Sequence, residues 1–166
     1  MKPQDILLSV NLALAPLGSK PTLVELSKKL GLSVGEVHSS VRRATDAGLL
    51  GPERAPNRAA LREFLVHGLK YVFPARRGPI TRGIPTAHAA MPLSRELGES
   101  DAPPPVWPDP DGPVRGETFV PLYPSVPHAT RHDPALYQVL SVLDALRGGR
   151  ARERALATKY IETLFA

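Results

Sequence analysis

Few side chains in this sequence are placed to make or break covalent bonds. None of its 166 residues is cysteine, which excludes a thiol nucleophile, a disulfide framework and a zinc site built from thiolates. His128 and His132 have the three-residue gap of a metal-binding pair. They lie between Pro127 and Pro134, off any helix, and Asp133 beside them is better placed to cap one. Asp109 and Asp111 flank a proline in a turn, and Glu96 and Glu99 share a short exposed helical turn, so both carboxylate pairs read as solvated. His67 reads as packed or half-exposed on its helix, and His88 has no partner in its loop. A glycine-rich phosphate loop after a strand, a Gly-x-Ser-x-Gly elbow and a His-Glu-x-x-His pair are all missing. The expectation is a protein that is not an enzyme and takes no cofactor and no metal.

The cations are more informative. The chain has 21 Lys+Arg against 16 Asp+Glu, a net +5, but residues 42–82 carry 9 basic and 3 acidic groups while residues 84–146 carry 3 and 8. A basic segment beside an acidic one predicts a local anionic partner, not a surface that is sticky everywhere. The elements around that segment decide how its arginines are presented. Thr22 caps a short helix, with Glu25 completing a capping box three residues on, and Leu23, Leu26 and Leu30 form its apolar face. Gly31 ends it, because a residue without Cβ takes the left-handed conformation easily, and Leu32 plugs the corner. Ser33 caps a second helix, with Glu36 again three residues later, and the expected buried stripe is Val34, Val37, Val41 and Ala44. That leaves Gly35, His38, Ser39, Arg42 and Arg43 on the outer face. Two short helices joined by Gly-Leu-Ser, the second polar outside, have the architecture of a helix-turn-helix.

The stretch from Leu26 to Leu50, with its Leu-Gly-Leu-Ser turn, Val-His-Ser helix and closing Ala-Gly-Leu-Leu, resembles the helix-turn-helix of bacterial winged-helix transcription regulators of the MarR-like kind. The resemblance covers about the first third of the chain. It implies a supporting helix at 22–30, a recognition helix at 33–47 and a helix at 5–17 completing a three-helix core. It also implies double-stranded DNA as partner, with Ser33, Gly35, His38, Ser39, Arg42 and Arg43 at the major groove.

The usual wing should follow Leu50 as a β-hairpin, yet Pro56-Asn57 opens a further helix with Leu61, Phe64, Leu65, Gly68, Leu69 and Val72 at helical spacing. A displaced wing is expected over residues 71–82, two extended pieces around a turn at Ala75-Arg76-Arg77-Gly78. Arg76, Arg77 and Arg82 would then meet phosphate or a minor groove.

Proline supplies 19 residues, more than twice the roughly 5% usual share, and 14 of them lie from Pro74 to Pro134. Extended chain and turns must dominate there. Its apolar anchors suggest docked chain, with a short hairpin pairing Val106-Trp107 with residues 114–119 across the Asp109-Pro-Asp-Gly112 turn. Asp133 caps a helix carrying Leu136, Val139, Leu140, Leu143 and Leu146, which stops at Gly148-Gly149; a last helix from Arg150 carries Leu156, Tyr160 and Leu164 on one face. This terminal hairpin suits dimer or partner contacts, or packing on its own domain. The apolar run Ile6 to Ala15 is too short for a membrane span and is interrupted by Asn11, so it reads as a buried helix of a cytoplasmic protein.

The sequence thus predicts a mainly α fold. A three-helix winged helix-turn-helix domain with an extra helix would fill residues 1–72, a basic loop and proline-rich extended region with short β-hairpins residues 73–132, and a C-terminal helical hairpin residues 133–166. The predicted function is that of a homodimeric, sequence-specific DNA-binding regulator. The alternative is an antitoxin-like or adaptor protein that binds and restrains a protein partner through its proline-rich and C-terminal regions.

Overall fold

The computed structural model describes residues 1–166. The fold is mixed α/β, helical over more than half its length, with one small three-stranded sheet. Helix α1 (Pro3–Leu14) is apolar nearly all round and buries Ile6, Leu7, Leu8, Val10, Leu12 and Ala13. A helix of that kind belongs in the middle of a core, and α1 packs on both α3 (Val34–Asp46) and α8 (Pro134–Gly148). It starts and stops earlier than the 5–17 expected, and it carries Asp5 and Asn11 inside with it.

The turn into α3 is local chemistry. In α2 (Leu23–Leu30) the Thr22 amide donates to Glu25 Oε2 at 2.6 Å and the Glu25 amide to Thr22 Oγ1 at 3.2 Å, a reciprocal capping box. Gly31 follows at φ +65°, and Leu32 is buried behind it. Ser33 Oγ accepts the Glu36 amide at 3.1 Å, but the Glu36 carboxylate does not reach back to complete a second box; it faces Arg43 and Gln4. The buried stripe of α3 is Val37, Ser40 and Ala44, with Val41 partly covered, whereas Val34 is exposed, contrary to expectation.

After α3, a single bridge between Leu50 and Pro56 closes a tight loop, and Asn57 Oδ1 caps α4 (Arg58–Glu63). A π turn, Phe64–Gly68, carries the helix on into α5 (Leu69–Val72). Leu61, Leu65 and Leu69 point into the core, whereas Val72 is exposed, contrary to expectation.

The proline-rich stretch folds into three strands in a closed arrangement, β1 (Arg77–Pro85), β2 (Pro105–Pro108) and β3 (Val114–Phe119). The two expected hairpins are not formed. Residues 71–74 end a helix instead of pairing with 79–82. β1 pairs antiparallel with both other strands, and β2 runs parallel to β3, with Val106 opposite Thr118. Prolines explain the change of plan: at Pro104, Pro105, Pro108 and Pro113 there is no amide to donate to a hairpin ladder. Their carbonyls still accept, so Thr86 bonds Pro105 and Glu117 bonds Pro104, both at 2.9 Å. The chain crosses at glycine. A Cβ on Gly112 would lie 2.3 Å from the Gly83 carbonyl carbon, and one on Gly116 would lie 2.0 Å from the Pro104 oxygen.

Between β2 and β1 lies α6 (Leu93–Leu97), and α7 (Val126–Thr130) precedes α8. Trp107 on β2 is fully buried against α8, its ring edge-on to Tyr137 at 5.7 Å. The buried carboxylate of Asp144 accepts from Trp107 Nε1 at 2.6 Å and Thr86 Oγ1 at 2.8 Å, and pairs with Arg147 at 2.6 Å. Arg147 in turn donates to the Phe73 carbonyl at 2.8 Å. These bonds pin the proline-rich stretch to α8.

Asp133 caps α8 as expected, Gly149 follows its end, and α9 (Ala151–Leu164) folds back on it. The fully buried α9 residues are Ala157 and Ile161, with Phe165 just beyond the helix. The expected stripe of Leu156, Tyr160 and Leu164 lies one position over and packs on the same core. The hairpin therefore uses its apolar face inside its own chain. The three expected parts share one cluster of 32 buried residues running from Ile6 to Phe165, so they do not form three separate cores. No helix is long and apolar enough to cross a membrane.

Candidate nucleic-acid interface

A turn of 100° per residue puts Gly35, His38, Ser39 and Arg42 on one strip of α3, opposite Val37, Ser40 and Ala44. His38 and Arg42 are exposed one turn apart. Arg42 makes no ion pair and no side-chain hydrogen bond with the rest of the chain, so its guanidinium fork is available. Gly35 is helical, and a Cβ there would meet nothing within 4 Å. Its lack of a side chain is therefore not an internal packing requirement. Ser33 is exposed at the N-terminus of the helix, but its hydroxyl is already engaged as the cap.

Arg43 is different. It leans toward α1, and its Nη2 lies 2.8 Å from Asp5 Oδ1, 2.7 Å from Glu36 Oε1 and 3.0 Å from Ser40 Oγ. Asp5 is wholly buried and Arg43 side chain only 22% exposed. The hydrogen bonds to Asp5 raise the Arg43 pKa further above its ordinary value, and those from Arg43 and Gln4 hold Glu36 below the usual carboxylate value. Arg43 braces α3 against α1 and is not a free reader of an outside partner. Two adjacent arginines look equivalent in sequence. They are separated by the helical rotation, which turns one toward solvent and the other toward Asp5.

The loop arginines also divide. Arg76 is exposed with an unengaged side chain, while its carbonyl accepts the Val120 amide. Arg77 is a strand residue: it pairs with Glu117 at 2.9 Å, donates to the Gly148 carbonyl at 3.0 Å and lies over the Phe119 ring. Its side chain binds the sheet to the end of α8, whereas the sequence placed it at the tip of a turn. Arg82 is exposed and donates to the Gly112 carbonyl at 3.2 Å. Directly across the ladder stands Arg115, a residue the sequence reading missed because it assumed a β2–β3 hairpin. Like charges in register repel, and neither arginine has a carboxylate partner. Asp46 was missed too; it is exposed four residues after Arg42 at the end of the outer strip.

The main neighbours of α3 are α1 and α2, and those of β1 are β2 and β3, so the arginines of the sheet do not belong to the outer strip of α3. No family model, curated protein or solved structure matches the chain. The chemistry of the site rests on its own residues. The strip on α3 offers a fork donor, an imidazole, a hydroxyl and a gap where a surface could approach the backbone. The sheet offers a second, separate cluster of guanidinium groups.

Proposed function

We propose that the protein is a sequence-specific regulator of transcription that binds double-stranded DNA, with α2 and α3 acting as a helix-turn-helix of the winged-helix type. The observation that carries this reading is the free, exposed guanidinium of Arg42, one turn from His38 and on the same strip as the open position at Gly35. In the major groove, about 12 Å wide, Arg42 would address guanine O6 and N7, with His38 or Ser39 reading a neighbouring edge. Gly35 would let the first turn of α3 come close to the sugar-phosphate backbone, where the positive end of a helix favours phosphate. Arg76, Arg82 and Arg115 would add contacts to phosphate alone. The supporting physical argument is the division of labour between Arg42 and Arg43: one holds the helix in place and the other is left for a partner.

In this reading two copies bind a near-palindromic operator in the cytoplasm, their α3 helices about 34 Å apart. Selection of bound duplexes from a random pool tests it, followed by anisotropy of the recovered site between 50 and 200 mM salt. A recovered palindrome whose affinity falls steeply with salt is expected, because phosphate contacts release counterions. Failure to enrich any sequence, with a flat salt response, overturns the proposal. Arg42→Ala is expected to cost about 1–3 kcal/mol at one base position, and Arg76→Ala to weaken all sequences alike.

A further inference from the structure

Where the last turn of α2 meets α7 and the start of α8, a cleft of about 460 Å³ opens to solvent. Its chemistry comes from Lys28, Lys29, His128, Arg131, His132 and Asp133. The histidines are those whose spacing first suggested metal. In the fold they are joined by three cations from outside that pair, which is the wrong company for a metal ion. No cluster of metal-ligating side chains forms there or anywhere else in the chain.

The cleft is held open by contacts on its walls. His128 Nε2 lies 3.1 Å from the Lys28 carbonyl, and the ring sits so close to the α2 turn that a Cβ on Gly31 would be 2.9 Å from its Cδ2. A side chain at Gly31 would push α7 away. The one carboxylate of the lining, Asp133, is doubly engaged: Lys29 lies 2.8 Å from Oδ2, and Oδ1 caps α8. Arg131 has only a long 3.8 Å contact to Asp109, and its side chain is 57% exposed. Lys28 has no ion pair, and the His132 ring has no partner in the chain.

Lys28, with no ion pair, and Arg131, with only the long contact to Asp109, thus face one concavity alongside the unengaged ring of His132; the His128 Nε2 is already turned to the Lys28 carbonyl. With Lys29 and Asp133 paired to each other, the lining keeps an excess of positive charge, and a cleft of that kind draws anions. Its volume lies within the range of small-molecule sites. A fork donor, an ammonium and an imidazole together suit the several oxygens of phosphate. We infer that this cleft binds a phosphate-bearing polyanion. The shared chemistry is the phosphate group, whether it belongs to a free small molecule or to a nucleic-acid backbone. The inference does not depend on the outer strip of α3, which contributes no residue to the cleft.

The test uses the full chain and its five histidines, His38, His67, His88, His128 and His132, as reporters. Their ring resonances are followed by NMR during titration with inorganic pyrophosphate, and separately with a duplex oligonucleotide at the same ionic strength. Pyrophosphate is expected to move His128 and His132 and to leave His67 and His88 in place. The double variant Lys28→Gln/Arg131→Gln removes two exposed charges without touching the core, and is expected to weaken pyrophosphate binding by about tenfold or more. Movement of the same two rings by the duplex assigns the phosphate to a nucleic-acid backbone; their movement by pyrophosphate alone assigns it to a free molecule. The inference is overturned if pyrophosphate leaves His128 and His132 unmoved, if it moves all five rings alike, or if the double variant binds as tightly as the parent. Loss of duplex binding with the pyrophosphate response intact would count against the DNA reading only.

Discussion

Arg43 on α3 closes on the buried carboxylate of Asp5 on α1 from two directions, Nη2 at 2.8 Å from Oδ1 and Nε at 3.0 Å from Oδ2. The pair spans 38 residues of chain and, with the Gln4–Glu36 hydrogen bond, fastens the first helix to the third. Once α1 is buried, Asp5 has to be paired, since an unpaired carboxylate in that position would be strongly destabilising. Helix α3 supplies the cation, and its rotation about its own axis is set as a result. Arg42 then faces outward.

Removing one member of this pair should therefore act on stability, and removing Arg42 should not. Arg43→Ala is expected to cost about 3 kcal/mol because it leaves Asp5 buried and uncompensated. Arg42→Ala should stay within about 0.5 kcal/mol of the parent, as exposed substitutions do. Urea denaturation followed by far-ultraviolet circular dichroism compares the two. Equal losses would contradict the assigned roles.

Gly35 separates stability from binding in the opposite sense. A Cβ there meets nothing within 4 Å, and alanine is the better helix former, so Gly35→Ala should raise stability by about 0.5–1 kcal/mol. If the first turn of α3 approaches DNA closely, the same variant should bind the selected duplex more weakly. A variant both more stable and equally tight in binding would remove Gly35 from the interface.

Acid should loosen the same region through Glu36. Arg43, and after it Gln4, hold the Glu36 carboxyl below its ordinary value of 4.5. A group whose folded value is lowered contributes stability that is complete above the unfolded value, and that is lost as pH falls through the folded one. The window therefore lies below about pH 4.5. Glu36→Gln, which cannot titrate, should flatten the dependence of the urea midpoint on pH in that window relative to the parent. An unchanged slope would show that Arg43 relies on Asp5 alone.

The proline-rich segment should unfold with everything else. Trp107 is the sole tryptophan, fully buried on β2, while most of the helical signal comes from other elements. Its fluorescence and the circular dichroism at 222 nm should give coincident transitions, as one cooperative core requires. Asp144→Ala leaves Trp107 Nε1 and Thr86 Oγ1 without their acceptor and the nearly buried Arg147 guanidinium without its counter-charge, with only backbone carbonyls to donate to. A loss of about 3–5 kcal/mol is expected. Two separate transitions in the parent would mean that the sheet is an independent unit.

Much of the helical part was legible without the fold, because its signals act within one turn of chain. Thr22 with Glu25, Gly31 at positive φ, Ser33, Asn57 and Asp133 each satisfy or release a backbone group three or four residues away. Spacing placed Val37 and Ala44 inside, and it placed Leu136 to Leu146 inside along α8. It misplaced Val34, Val72 and the α9 stripe by small rotations, since periodicity gives a face but not its centre. Strand partners were out of reach. Whether Val106 pairs with β3 in parallel or antiparallel fashion depends on β1, more than 20 residues upstream, pairing with both strands, and on the close approach of Gly112 to Gly83 and of Gly116 to Pro104. Local sequence does set which residues are donors, acceptors and caps. The choice between Arg42 and Arg43, the gathering of Lys28 with His128 and Arg131, and the placing of Arg82 opposite Arg115 are decisions of tertiary structure. Each joins groups far apart in the chain, and only the burial of α1 and α8 in one shared core brings those groups within a few ångströms of each other.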